Sequence, residues 1–498
     1  MTRAFNKKLV FRTQGALLLI EAFFMAIATL VSFFYDDADQ SAFIVSTVLT
    51  FLGGVLGLWL GRYAPKQVGE REGYVIVALV WVIFSIFGLL PYYLSGQIQT
   101  ITDAWFETMS GFTTTGATVI RDIEGMTHAA LFWRALTQWL GGLGIIVLCV
   151  ALLPMFGLGG MQLYAAEVTG VNYEKLSPRI ADTAKLLWAV YIFLTITETA
   201  CLWLCDMSVF DALCHSMTTI ATGGFSTKNT SLMLYGPAVQ YVVAVFTFLS
   251  GLNFALIILF LRGKPQRLLQ DEETKWYARA VGIIGVAMTV GLAVYHGIQD
   301  EIWTGSAQDV LAHIEESFRI GFFTTVNSIT STGFAAADYM TWTPLLWVTV
   351  FFMFITGGSS GSTAGGMKWV RILVFAKSGF AEFQRRIHPN AIIPIKLNGR
   401  PLSHDTINNV MAFMVFYVLI ILLTVLVFCG CGIDFDESIG AAVSAIGNVG
   451  LGIGQYGPSG TYADFPTFGK WWMTLVMMTG RLEIFTVLLL FTKALWKK

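Results

Sequence analysis

A four-residue stretch, Thr113-Thr114-Thr115-Gly116, has three later echoes: Ile220-Ala221-Thr222-Gly223, Thr330-Ser331-Thr332-Gly333 and Gly447-Asn448-Val449-Gly450. Each lies between two long apolar runs and follows a segment with the composition of a short amphipathic helix. The final glycines are 107, 110 and 117 positions apart, so one unit recurs four times. Repetition of this kind constrains architecture more tightly than any single motif. Backbone carbonyls can replace the water around a cation when they point at a common axis, which draws on left-handed dihedrals. A Cβ resists those angles by roughly 1–2 kcal/mol, and glycine does not. Four such glycines would let four strands meet around one pore. As a single copy, a glycine after a small polar residue is ordinary loop punctuation. It is the fourfold recurrence between membrane-length segments that favours the pore.

Composition supports a membrane setting. Of the 498 residues 55% are hydrophobic and 13% charged, where soluble domains carry about 25% charged residues. The net charge of −1 gives no footprint for nucleic acid. Most of the six cysteines lie inside apolar runs and read as small buried side chains, with neither a disulfide nor a metal assigned. A spanning helix needs about 20 predominantly apolar residues. Candidate spans are 14–35, 41–61, 73–94, 130–153, 184–205, 236–261, 277–298, 344–376, 407–430 and 469–495. The expected fold is therefore an all-α integral membrane protein with ten transmembrane helices. Eight form four pseudo-symmetric helix–pore loop–helix repeats around one pore, and the first two are an N-terminal hairpin. The divisions are 1–70 for the hairpin, 71–155, 156–263, 264–400 and 401–498 for the repeats.

Lysine and arginine accumulate on the cytoplasmic side of membrane proteins. With the N-terminus inside, 25 of the 31 basic residues fall in cytoplasmic segments. Both termini are then cytoplasmic, and the glycine stretches enter from outside. Acids collect on the outer side, among them Asp103, Glu107, Asp122, Glu124, Asp211, Asp338, Asp436 and Asp464, and would raise the local cation concentration. Asp103, Asp211 and Asp436 stand near the starts of the short helices expected near 103–112, 209–219, 312–328 and 435–446, where helix capping is the favoured role. Those helices would turn their partially negative C-terminal ends toward the ion path.

Two irregular stretches stand out. Gly357-Gly358-Ser359-Ser360-Gly361-Ser362-Thr363-Ala364-Gly365-Gly366 interrupts the apolar pattern after Pro344, and each glycine costs a helix about 1 kcal/mol relative to alanine. Irregular backbone at membrane depth is tolerated inside protein or against a water-filled cavity. The loop is thus expected below the glycine strands, either as a gate free to move because nothing locks its dihedrals, or as a static unwound segment. Arg481 is a lone cation near the middle of the last apolar run, where insertion costs about 2.5–3.5 kcal/mol. It is expected to face the interior beside the pore as an electrostatic barrier, on a different helix face from Glu483. Glu21 and Glu198 are further acids in apolar runs, open to structural pairing or to transport. No HExxH or Walker segment accompanies them, which argues against an enzyme.

The four glycine stretches, the segment ending Gly361-Ser362-Thr363-Ala364-Gly365-Gly366-Met367-Lys368 and the segment Gly480-Arg481-Leu482-Glu483-Ile484-Phe485 together resemble the Trk/Ktr/HKT superfamily of potassium transporters, within it the bacterial Trk uptake subunit of TrkH type. The resemblance spans nearly the whole chain, and the N-terminal hairpin suits the Trk branch. It implies a potassium channel or transporter subunit of the bacterial inner membrane. The filter for the bound, transported potassium ion would be Thr114, Thr115, Gly116, Ala221, Thr222, Gly223, Ser331, Thr332, Gly333, Asn448, Val449 and Gly450. The loop 357–366 with Arg481 would be the gate. The implied partners are a second copy in a homodimer, membrane lipid and a cytosolic TrkA-type nucleotide-binding ring, docked on the basic inner face between Lys368 and Arg400. No organic cofactor is implied. Val449 before Gly450 departs from the Thr-Gly pattern. The rival reading is a symporter that couples potassium to protons or sodium by alternating access.

Overall fold

The computed structural model describes residues 5–64, 69–144, 180–299 and 306–496. Arg3, Lys66, Cys149, Lys175, Arg179, Asp300, Glu301, Lys497 and Lys498 lie outside the described residues, as do the end of the 130–153 span and the boundary between 71–155 and 156–263.

The N-terminal hairpin consists of α1 (Lys7–Phe34) and α2 (Gln40–Leu60). They pack closely enough that a Cβ on Gly15 would sit 2.7 Å from the Gly54 carbonyl oxygen, the small-residue contact that brings membrane helices together where no hydrophobic effect separates them from lipid. Next come α3 (Glu70–Gly88), α4 (Leu90–Leu94), α5 (Ile101–Phe112) and α6 (His128–Gly142). They are followed by α7 (Ile180–Leu204), α8 (Val209–Ile220), α9 (Pro237–Ser250) and α10 (Phe254–Leu261), and by the short α11 (Pro265–Gln270). Then stand α12 (Glu272–Gln299), α13 (Ala307–Ile329), α14 (Pro344–Met353) and α15 (Trp369–Ile387), and a two-stranded hairpin of β1 (Lys396–Leu397) and β2 (Arg400–Pro401). The last group comprises α16 (His404–Gly430), α17 (Phe435–Gly447), α18 (Thr467–Arg481) and α19 (Phe485–Leu490), with α20 (Lys493–Trp496) at the end.

Among the described residues six helices are long and apolar enough to cross a membrane unaided, and a seventh span forms if α9 and α10, bent by 101°, count as one. The chain is an all-helical membrane protein. The unbroken helices expected over 236–261 and 469–495 are each interrupted, and the span 344–376 is interrupted at its glycine-rich stretch, as expected. α9 stops at Ser250 and α10 begins after Asn253; α14 and α15 are separated by residues 354–368; α18 ends at Arg481 and α19 begins after Ile484. Arg481 is accordingly a helix-terminal residue, not a mid-helix one, and its charge meets the partially negative end of its own helix.

The usual inside-out pattern is reversed. Leu52, Leu56, Leu419, Leu422 and Leu426 are exposed on α2 and α16, whereas Thr114, Thr115, Thr222, Ser331, Thr332 and Asn448 are completely buried. Lipid solvates the former; only protein or a water-filled path can solvate the latter.

α5, α8, α13 and α17 precede the four glycine stretches. Side chains fix where three of them begin. Thr100 and Ser208 accept from the backbone N–H of Asp103 and Asp211, while Ser306 and Asp309 form a reciprocal capping box. Each satisfies helix-start donors that nothing else in the helix would bond. Asp103 and Asp211 thus have the capping environment expected of them, and Asp436 stands in the first turn of α17. α13 is longer than the expected 312–328, because the capping box starts it at Ala307.

Candidate functional site

The four helices end in the same way. Thr114, Thr222, Ser331 and Asn448 are left-handed, with φ of 53°, 53°, 53° and 52°. Their N–H groups donate to the carbonyls of Gly111, Thr219, Ser328 and Ala445, and the next N–H in each case reaches back to Ser110, Thr218, Asn327 or Ser444. These paired bonds are those of a Schellman termination, usually built on glycine. A β-branched threonine at such angles is strained, and strain of this kind persists where surrounding structure over-determines it. Two residues further on stand glycines with positive φ: Gly116 (82°), Gly224 (74°), Gly333 (84°) and Gly450 (88°).

This shifts the second stretch by one residue from the sequence expectation. Matching Thr222-Gly223 to Thr115-Gly116 pairs the wrong glycine. Ala221, with φ −72°, is the helix C-cap and corresponds to Thr113. Thr222 corresponds to Thr114, Gly223 to Thr115 and Gly224 to Gly116. Sequence similarity favours the first glycine of the Gly223-Gly224 pair; the backbone angle selects the second.

The four strands close into a ring. A Cβ on Gly116 would lie 2.2 Å from the Gly223 carbonyl oxygen, and one on Gly224 would lie 2.0 Å from that of Thr332. One on Gly333 would be 2.1 Å from the Val449 oxygen, and one on Gly450 would be 2.4 Å from the Thr115 oxygen. Each glycine is therefore required twice, by its own φ and by the carbonyl of the next strand. The contacts run from the first strand to the second, third and fourth and back to the first. Hydroxyls brace the strands from behind: Thr113 with Thr115 at 2.8 Å and Thr330 with Thr332 at 2.7 Å. Asn448 donates to Thr115 Oγ1 and to the Met477 carbonyl at 3.0 and 2.9 Å.

The end of α6 and the breaks after α9 and α18 meet this ring. A Cβ on Gly141 at the end of α6 would strike the Phe112 carbonyl oxygen at 1.8 Å, and one on Gly480 in α18 the Ile446 oxygen at 2.1 Å. One on Gly251, between α9 and α10, would approach Thr330 Cγ2 at 2.7 Å. Only the break between α14 and α15 is evident from glycine density; those after α9 and within 469–495 hold one or two glycines in otherwise apolar runs.

The loop 357–366 lies under the ends of three helices. Thr363 Oγ1 donates to the Ile220 carbonyl at the end of α8 (2.9 Å), and Gly365 N–H donates to Ser331 Oγ (2.7 Å). A Cβ on Gly365 would sit 2.5 Å from the Gly447 carbonyl oxygen at the end of α17. The expectation that nothing locks this loop is wrong for the conformation observed. Gly357 N–H bonds the Met367 carbonyl at 2.8 Å, Ser359 N–H the Gly251 carbonyl at 2.8 Å, and Phe254 N–H the Gly361 carbonyl at 3.1 Å. Asn253 donates to the Ser360 carbonyl at 2.5 Å and Lys368 Nζ to the Ala364 carbonyl at 2.5 Å. Glu273 Oε1 accepts from Ser360 N–H (2.7 Å), Ser360 Oγ (3.1 Å) and Val370 N–H (2.9 Å). Glycine removes the intrinsic preference for a helix, but here tertiary hydrogen bonds replace what the helix would have supplied.

Arg481 completes the fourfold contact. Its Nη1 donates to the Thr363 carbonyl at 2.7 Å, and its Nη2 to those of Gly141 and Gly142 at 2.7 and 2.5 Å. The guanidinium thus ties the loop to the end of α6, beside the end of α5. Glu483, two residues on, pairs with Arg371 of α15.

Several residues here escaped sequence reasoning, because their significance is an encounter between distant segments. Glu107, counted among the outer acids, is fully buried and bonded to Arg134 Nε at 2.6 Å, so its charge is compensated inside the protein and adds little to the field at the mouth. Glu273, Asn253 and Gln138 carried no local signal. Glu21 is fully buried, and neither of its oxygens has a hydrogen-bond partner among the described residues.

Comparison with known proteins agrees with this arrangement. Residues 39–498 match the TrkH family, described as a cation transport protein. The chain is 36% identical over 496 residues to the Trk system potassium uptake protein TrkH of Salmonella typhimurium, covering 98% of this chain and 99% of that one. It is 35% identical to the Escherichia coli K12 protein of the same name over 491 residues, 98% and 99% of the two chains. The crystal structure of the potassium transporter TrkH from Vibrio parahaemolyticus superposes with a TM-score of 0.86 at 32% identity, covering 98% of this chain and 99% of the other. Similarity of this extent, over a helical membrane fold with a closed ring of four glycine strands, makes the chain a member of the TrkH family of cation transport proteins, a membrane transporter and not an enzyme.

Proposed function

We propose that this chain is a potassium uptake pathway whose ion filter is the ring formed by Thr114-Thr115-Gly116, Thr222-Gly223-Gly224, Ser331-Thr332-Gly333 and Asn448-Val449-Gly450. The observation that carries the reading is the closed cycle of contacts in which each positive-φ glycine abuts the carbonyl of the neighbouring strand. Carbonyls so fixed can substitute for the hydration shell of a monovalent cation. Four converging helix C-termini bias the same place toward positive charge. The names of the full-length relatives favour potassium as the ion.

On this reading the loop 357–366 is the gate and Arg481 its latch. The support is their position against α8, the strand of the third repeat, α17 and the end of α6. Eight spans in four repeats plus the hairpin, with both termini cytoplasmic in a bacterial inner membrane, remain the architecture that the lysine and arginine distribution favours. A homodimer and a cytosolic nucleotide-binding ring on the face between Lys368 and Arg400 complete the proposal. The relatives' designation as parts of a Trk system supports a multi-component assembly. Coupled transport is the second reading, favoured by the broken helices and by the unpartnered carboxyl of Glu21.

Growth of a potassium-uptake-deficient bacterium on low-potassium medium tests the substrate. Gly116→Ser in the same strain and in rubidium and sodium flux assays tests the filter. Rescue by the parent chain and a lowered potassium-over-sodium ratio in Gly116→Ser are the expected results. Absence of rescue defeats the first claim, and an unaltered ratio the second.

A further inference from the structure

The four strands of the ring are not held alike. The second is gripped by one face of α6. Gln138 Nε2 donates to the Gly223 carbonyl at 2.7 Å while its Oε1 accepts from Phe225 N–H at 3.0 Å. One turn earlier, Arg134 Nη1 donates to the Ser226 carbonyl at 2.8 Å, and its guanidinium lies 3.7 Å from the centre of the Phe225 ring. Positions four apart share a helix face, so both side chains reach the same strand. The arginine is itself held by Glu107, whose Oε2 accepts from Val119 N–H at 3.0 Å and whose Oε1 accepts from Thr118 Oγ1 at 3.0 Å. A single network thus ties the chain just after Gly116 to the chain just after Gly224. All three side chains are at least nine-tenths buried.

Gly223 shows that the grip is built in. Its φ is not positive, so backbone angle does not require glycine there, and the equivalent residues are Thr115, Thr332 and Val449. A Cβ on Gly223 would lie 2.4 Å from Gln138 Cδ and 2.4 Å from its Oε1. Glycine is the residue that admits the amide. Among the described residues, Gly223 is the one ring position of the four whose carbonyl accepts a side-chain hydrogen bond. That bond occupies part of the lone-pair density and fixes the carbonyl's direction.

We propose that Gln138 and Arg134, with Glu107 behind them, are positioning residues for the second strand, and that the chain's discrimination between potassium and sodium depends on them. The proposal rests on the reading of the ring as an ion filter. A filter separates cations of different size only while its oxygens resist collapsing onto the smaller one. The Gln138 bond and the Arg134 anchor supply that resistance at the one strand with two successive glycines, Gly223 and Gly224, where the backbone is otherwise freest.

The test is the potassium-over-sodium permeability ratio of purified protein in liposomes, measured for the parent chain, Gly116→Ser, Gln138→Leu and Arg134→Lys. Lysine keeps a cation against Glu107, so the buried carboxylate is not left unpaired, but it loses the planar stack on Phe225 and the fork that reaches Ser226. Gln138→Leu, which removes the bonds to the Gly223 carbonyl and from Phe225 N–H, is expected to lower the ratio by at least roughly three- to tenfold, the effect of the Gly223 bond alone, and Arg134→Lys to lower it in the same direction. If Gln138→Leu does not accumulate, Gln138→Met, flexible and of similar volume, takes its place. Reduced protein or total flux with an unchanged ratio would show a merely structural role and overturn the proposal. A ratio that falls in Gly116→Ser but in none of the α6 variants overturns it while leaving the filter reading intact; a ratio unmoved in every variant sinks the filter reading itself.

Discussion

Removing the Arg481 guanidinium is the sharpest test of the proposed gate. Arg481→Gln deletes a cation that donates to the Thr363, Gly141 and Gly142 carbonyls at 2.7, 2.7 and 2.5 Å. Hydrogen bonds from charged groups contribute about 1.5–3 kcal/mol each, and bonds from one group do not add. If the set favours the closed loop over the displaced one by about 3 kcal/mol, its loss shifts that equilibrium by roughly a hundredfold. Rubidium influx into liposomes, or open probability in planar bilayers, should rise accordingly without any cytosolic partner present. Arg481→Lys separates two causes. If the residue acts as a point-charge barrier, lysine keeps flux low; if it acts as a latch, lysine cannot span carbonyls of two segments with one ammonium and flux rises most of the way. The latch geometry predicts the second result. Influx in Arg481→Gln equal to or below that of the parent would refute both.

Two further outcomes follow from the same geometry. Glu273→Ala removes the acceptor for Ser360 N–H, Ser360 Oγ and Val370 N–H, and should loosen the loop by about 1–3 kcal/mol; influx into liposomes of the purified protein should increase, and unchanged influx would exclude Glu273 as an anchor. Gly224→Ala imposes a Cβ on a residue with φ of 74° and places it 2.0 Å from the Thr332 carbonyl oxygen; it should abolish selective flux and lower the Tm of the purified protein, and parent-like behaviour in both would mean that the second strand is misassigned.

The contrast between Glu107 and Asp103 shows where sequence reading reaches its limit. Asp103 sits three residues after Thr100, a local pattern with a local consequence, and capping follows from spacing alone. Glu107, four residues on, looks equally like a surface acid, yet it is buried against Arg134 of the next helix. Nothing within hydrogen-bond range along the chain announces that encounter. Gly223 and Gly224 make the same point. Their presence in the second stretch is plain in the sequence, but which one has the left-handed angle depends on where α8 stops, and why the other is glycine depends on Gln138 in α6.

The amino-acid sequence by itself determined the membrane class and the approximate place of the four glycine turns, because apolar length and recurring glycine are properties of short windows. It also marked the loop 357–366 and Arg481 as exceptional, since helix-breaking density and a lone cation in an apolar run are costly wherever they fall. Only the tertiary structure decided that the loop is bonded under three helix ends, that Arg481 terminates its helix and clasps two other segments, and that the second strand alone is held through its carbonyl. Those are meetings of groups 34 to 340 residues apart along the chain, and they exist only once the segments that carry the four glycine turns have closed on one another.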